Sequence, residues 1–149
     1  MIYIGIDTGT NTGIAVYDNH ARHLVLVDCM PIHRAMRTVE TWYQKSKDEG
    51  VRLIVRVEDP RQRTWYEKMT REQERMKLQG VGSVKRDASI WEDYLKDLFA
   101  DAGGSGEFEM VAPKHNVTKL SQDRFKVITG WSKRTNEHGR DAAMLVFGF

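Results

Sequence analysis

Apolar and other residues alternate from the start of the chain, where Ile2, Ile4 and Ile6 are separated by Tyr3, Gly5 and Asp7. That period of two predicts a strand with one apolar face, and it ends the strand at Asp7 on the face away from the isoleucines. TGTNTG is turn chemistry and GIAVYD resumes the apolar pattern, so residues 2–18 read as a hairpin. DNHA then turns the chain into HLVLVD, a third strand. Over residues 32–48 the spacing changes to three and four: Ile32, Ala35, Met36, Val39, Trp42 and Tyr43 share one side of an amphipathic helix that Gly50 stops. VRLIVRVED follows, a β-branched run ending in Glu58 and Asp59, with Pro60 blocking simple continuation.

The second half is less regular. From Pro60 to about residue 79 the chain is polar, aromatic and basic, with a helical pattern that GVGS at 80–83 is expected to break. A second helix is predicted over 87–101, with Ile90, Tyr94, Leu95 and Leu98 on one side. GGSG at 103–106 is the most flexible composition, and EFEMVAP reads as a short strand ended by Pro113. Residues 114–134 carry no pattern that assigns them, whereas Asn136 caps an apolar C-terminal helix. Three antiparallel strands, a helix, a strand, helices, a strand and a helix predict an α/β domain around a mixed central sheet.

At 149 residues the chain is expected to form a single domain, residues 1–149, whose core needs no disulfide or structural metal. Cys29 is the only cysteine, which excludes an intramolecular disulfide and a cysteine metal cluster and is expected to be a buried, inert thiol. No secretory leader pattern and no apolar run of membrane-span length is present, so the expectation is a cytoplasmic protein with no membrane contact. Net charge is only +2, but it is unevenly spread. Residues 61–86 carry +5, as do residues 114–140, leaving the remainder at −8. Two basic segments on an acidic chain suit a polyanion-binding face if folding unites them, although two solvated helices would read the same way.

Four residues carry the candidate chemistry. If the strands ending at Asp7 and Glu58 lie side by side, both carboxylates stand at the carboxyl edge of the sheet, where open α/β sheets collect ligands. His138 and Asp141, three apart, project from one face of the last helix's first turn. Three carboxylates and a histidine make a hard, oxygen-rich set suited to Mg²⁺ or Mn²⁺. Each residue also has an ordinary explanation: Asp7 as a turn cap, Glu58 as a solvated strand end with Asp59 the functional acid, and His138 and Asp141 as first-turn residues.

Taken together, YIGIDTGTNTGIAVYD, LIVRVED with its terminal Glu58, the short VAP and NEHGRDAAMLV resemble the RuvC-like Holliday junction resolvases of the RNase H-like superfamily, across almost the whole chain. The length fits a stand-alone resolvase of the phage or prophage type. The resemblance implies an RNase H-like fold, three antiparallel strands followed by parallel ones in a helix-flanked sheet. It also implies a homodimer that cuts four-way DNA junctions by paired phosphodiester hydrolysis. By carry-over, Asp7, Glu58 and Asp141 would be metal-binding carboxylates, with His138 where some members have histidine and others aspartate. Two Mg²⁺ ions per site are implied, with Mn²⁺ able to substitute. His138, if not a ligand, would act as a general base or position water, since histidine titrates near neutrality. The chain departs from the family in reaching Asp141 eleven residues after the TG at 129–130, where other members generally have a helix. That makes the lysine nearest the scissile phosphate hard to align; Lys126 is the first choice, then Lys119 and Lys133.

Arg61, Arg63, Lys68, Lys85 and Arg86 are the expected phosphate contacts. Trp65 and Tyr66, in the same basic stretch, are expected either to stack on or wedge between bases at the crossover or to anchor the core or dimer interface. Residues 65–98, with Met69, Met76, Leu78, Ile90, Trp91 and Tyr94, hold enough apolar surface to pack on a partner. DTGTNTG also resembles the first phosphate loop of the actin-like ATPase and sugar kinase superfamily. Those proteins close two such domains around a nucleotide, and this chain has residues for one and no second phosphate loop. A non-catalytic binder of branched nucleic acid is the third reading.

Overall fold

Ile2–Asp7 forms strand β1, and Asn11–Asp18 forms β2, antiparallel to it from Ile2 opposite Asp18 to Asp7 opposite Gly13. His23–Pro31 forms β3, which extends the antiparallel set along β2. On the other side of β1 lie two parallel strands, β4 (Leu53–Glu58) and then β5 (Gly106–Val111). The sheet order is therefore β3-β2-β1-β4-β5, a mixed five-stranded sheet flanked by helices, as the α/β reading expected. The computed structural model describes residues 1–63, 71–100, 104–114 and 119–149, with the backbone alone over 71–81.

Helix α1 (Ile32–Asp48) buries Ala35, Val39 and Tyr43, the period-three-and-four stripe of the sequence, and the chain leaves it through Gly50 at φ +64°. Helix α2 runs unbroken from Arg71 to Leu98. GVGS therefore does not interrupt it. A glycine inside a helix costs about 1 kcal/mol, whereas Trp91 and Leu95 on α2 are wholly buried, and each such side chain contributes roughly 1.5–3 kcal/mol. The buried face is also turned from the expected one, since Trp91 is inside while Ile90 is 41% exposed. Tyr94 packs beside Trp91 and donates its hydroxyl to Met36 O (2.8 Å), joining α2 to α1.

The unassigned basic stretch contains a helix, α3 (Gln122–Thr129), capped by the Ser121 side chain and closed by Gly130 in the left-handed conformation. Phe125 is its one buried residue, so its sequence has almost no amphipathic stripe to read. The last helix, α4 (Glu137–Met144), begins at Asn136, whose side chain accepts from Gly139 N as expected.

Two cores result. Ile4, Ile6, Ile14 and Val16 meet α1 and α2 on one face of the sheet, while Ala15, Tyr17 and Val27 meet Phe125, Ala142, Ala143 and Val146 on the other. Cys29 lies on the edge strand β3 and is half-buried rather than buried, because an edge strand has a neighbour on one side only. Among the described residues, no helix is long and apolar enough to cross a membrane.

Candidate functional site

Because Ile6 is paired with Val57 in the parallel β1–β4 register, the next residues, Asp7 and Glu58, end neighbouring strands together. Tyr3 belongs to the core under α4 and the isoleucines to the core under α1, so Asp7 ends its strand on the α4 side. The hairpin turn is pinned on both flanks. Thr8 donates its hydroxyl to Glu58 O (3.1 Å), and Thr12 donates to Gly9 O (2.7 Å). Thr8 thus ties the turn after β1 to the end of β4 and keeps the two acids in one place.

Helix α4 reaches them because two strand positions lack side chains. A Cβ on Gly13 would lie 2.0 Å from His138 O, and one on Gly5 would lie 2.0 Å from Ala142 O. The helix backbone therefore rests directly on β1 and β2, and its first turn comes down over Asp7. His138 Nδ1 is 2.8 Å from Asp7 Oδ2, the ring N–H donating to the carboxylate. Asp141, one turn further on, is joined to Lys119, whose Nζ is 3.4 Å from Asp141 Oδ2 and 3.1 Å from Glu137 Oε2.

The electrostatics follow from this crowding. Burial pushes the Glu58 carboxyl up to about 7, with Asp7 and then Asp141 adding to the rise and Arg63 opposing it. Burial also raises Asp7, although hydrogen bonds from His138 and Glu58 act against the rise. Each of the two acids therefore favours its protonated form more than an ordinary carboxyl does. At Lys119, burial opposes the charge, but Glu137 and Asp141 outweigh it and raise the ammonium above its ordinary value. Crowded carboxylates of raised proton affinity are where a divalent cation would relieve repulsion, and oxygen donors of this kind fit Mg²⁺ or Mn²⁺. Among the described residues, no three histidine, cysteine, aspartate or glutamate side chains stand together as a finished metal cage.

Protein-family models, curated proteins and solved structures were all compared with the chain. None matches.

Of the expected site, His138 meets Asp7 (2.8 Å), Glu58 ends the strand beside Asp7, and Asp141, one turn along α4, is near enough to act electrostatically on both acids. Asp59, the alternative acid, has a structural post instead. It is 3% exposed and accepts from Arg61 Nε (2.7 Å), Arg61 N (3.0 Å) and Gln62 Nε2 (3.2 Å). Burial alone would raise Asp59, but these donors prevail and hold its carboxyl below the ordinary range. Arg61 also reaches Glu92 (2.6 Å) and Ser89 Oγ (3.0 Å) on α2, so its guanidinium is engaged in joining β4 to that helix.

Among the described lysines, Lys119 is the one that touches the acid cluster, through Asp141. Lys126 is exposed on α3, and Lys133 lies 5.6 Å over the Trp131 ring. Arg63 is exposed close to Glu58, Lys85 is half-buried and Arg86 exposed on α2. Trp65, Tyr66, Lys68 and Met69 lie outside the described residues, as do the side chains of Met76 and Leu78.

Sequence reasoning passed over Gly5 and Gly13, although the signal was present: glycine within a strand marks close approach of another backbone. Both seat α4 over the acids. Lys119 carried no such signal, because its position depends on a connection without periodicity.

Proposed function

We propose that this chain is a metal-dependent, structure-selective endonuclease of RNase H-like fold, acting in the cytoplasm as a homodimer on four-way DNA junctions. The observation that carries this reading is the meeting of Asp7 and Glu58, from adjacent parallel strands, with His138 on the first turn of α4 and Asp141 one turn further on. Asp7, Glu58 and Asp141 would hold Mg²⁺ or Mn²⁺, with His138 as a further donor. Divalent ions bound there supply an activated water and neutralise charge on the leaving oxygen in phosphodiester hydrolysis.

The remaining work belongs to side chains of this protein. Asp7 fixes the His138 ring through Nδ1, which directs Nε2 to a partner other than Asp7, a water or a metal. Lys119 steadies Asp141 and adds positive charge beside the acids, where a phosphate diester would approach. Arg63, exposed near Glu58, extends that charge along the edge of the sheet. Paired nicks in opposed strands require two such sites, hence the homodimer.

The test is cleavage of a synthetic four-way junction and a matched linear duplex, with Mg²⁺ or EDTA, by wild type and Asp7→Asn. Symmetric nicks on the junction that need both metal and Asp7 are the expected outcome. Tight junction binding without cutting under Mg²⁺ or Mn²⁺ would replace the nuclease with a non-catalytic junction binder. Indifference to DNA would overturn both and return attention to nucleotide binding at the DTGTNTG turn.

A further inference from the structure

Helix α3 presents a second exposed surface, apart from the acid cluster. Phe125 fixes its inner side, and Val127, two residues on, points almost directly away at 85% exposure, with Ile128 beside it at 46%. Val127 is the most exposed of the large apolar side chains among the described residues. Arg124 is three and four residues before this pair, so it shares their face of the helix. Lys126 flanks that face, and Lys133 and Arg134 follow in the next loop. All four cations are exposed, and Asp123 is the one acid between residues 121 and 134. The patch is thus apolar at its centre and has a net charge of +3.

The patch is tied closely to the acid cluster. Arg140, next to Asp141, donates Nε to Leu120 O (2.8 Å) just before α3, and Gln122 on α3 accepts from Thr135 N (2.9 Å) just before α4. Phe125 packs in the same core as Ala142 and Ala143 of α4. A DNA strand brought to Asp7, Glu58 and Asp141 through bound cations would be held by a body that includes α3.

We propose that the outer face of α3 is a contact for branched DNA, with Val127 and Ile128 lying against base or sugar surface exposed at the branch and Arg124, Lys126, Lys133 and Arg134 gripping the flanking phosphates. This rests on the nuclease reading and adds the source of its structure selectivity. Phosphate contacts serve linear and branched DNA alike, whereas apolar side chains gain only where base steps are open or unstacked. A second copy of this chain is a poorer occupant. A two-fold contact would set +3 against +3, and like charges facing each other oppose association.

The experiment measures binding of a labelled four-way junction and of a linear duplex of the same sequence by anisotropy in EDTA, with oligomeric state followed by light scattering. Wild type is compared with Val127→Ser/Ile128→Ser. Both positions are exposed, so the fold is expected to survive, and a thermal melt checks that. The double variant should lose about tenfold in junction affinity while its duplex affinity stays within a factor of about three. Arg124→Ala should weaken both DNAs and flatten their salt dependence.

Unchanged junction binding by the double variant, or equal losses on both DNAs, would overturn the proposal even if Asp7-dependent cleavage stands. A double variant that alone dissociates from dimer to monomer would assign the patch to a second copy and overturn it too. A wild type that binds neither DNA would remove the nuclease reading and this inference together.

Discussion

Glu58→Gln tests the electrostatics of the site without any assay of activity. In the folded chain the Glu58 carboxyl titrates at about 7 against 4.5 for an ordinary glutamate, chiefly because it is buried and then because Asp7 and Asp141 stand beside it. Between those two pH values the folded protein holds a proton that the unfolded chain has released, so stability falls as pH rises through the window. Below about 4.5 the group contributes nothing; above about 7 its destabilisation is complete. Each pH unit between the two is worth about 1.4 kcal/mol, which gives about 3 kcal/mol as an upper figure, since a partly hydrated carboxyl feels less than the whole effect.

Glutamine keeps a donor for Asp7 and removes the Glu58 titration, while Asp7, whose carboxyl burial also raises, titrates in both proteins. In EDTA at pH 8 the variant should therefore be more stable than wild type by up to about 3 kcal/mol, or roughly 6–12 °C in Tm for a domain of this size. At pH 4.5 the two should nearly coincide. Urea denaturation at both pH values reads the difference directly. A gap that is the same at pH 4.5 and pH 8 would show that packing rather than charge separates the two proteins, and the account of the acid pair would fail.

Two further substitutions separate the seat of the site from its supports. Gly13→Ala places a Cβ 2.0 Å from His138 O, so α4 must lift; junction cleavage should fall at least about a hundredfold with a lowered Tm, and a variant as active and stable as wild type would refute the direct seating of α4. Arg61→Ala leaves Asp59 buried without its main partner and should cost roughly 2–4 kcal/mol in urea denaturation, with duplex affinity per folded molecule nearly unchanged; a stable variant with much weaker DNA binding would restore Arg61 to the phosphate contacts.

The parts of this fold legible in the sequence were those with a repeating period. Alternation gave β1 and β2, the stripe from Ala35 to Tyr43 gave α1, and Asn136 marked the start of α4. The convergence of Asp7 with Glu58 was legible because both are strand ends, and the side of α4 that faces them because His138 and Asp141 are one turn apart. Elsewhere local signals misled. Gly80 and Gly82 look like a helix break, but the burial of Trp91 and Leu95 keeps α2 whole. Helix α3, with one buried residue, has no stripe to detect, and the approach of Lys119 to Asp141 is set by tertiary structure alone.

The bare glycine seat of α4 also fixes the aperture of the acid cluster. Side chains between a helix and a sheet act as compressible spacers, and repacking them can widen a gap by fractions of an ångström. At Gly5 and Gly13 no spacer exists, so peptide meets peptide and the gauge between the strand carboxylates and Asp141 is that of the backbone itself. No inward step of α4 is open there, and outward movement would part the helix from both strands with no side chain to fill the gap.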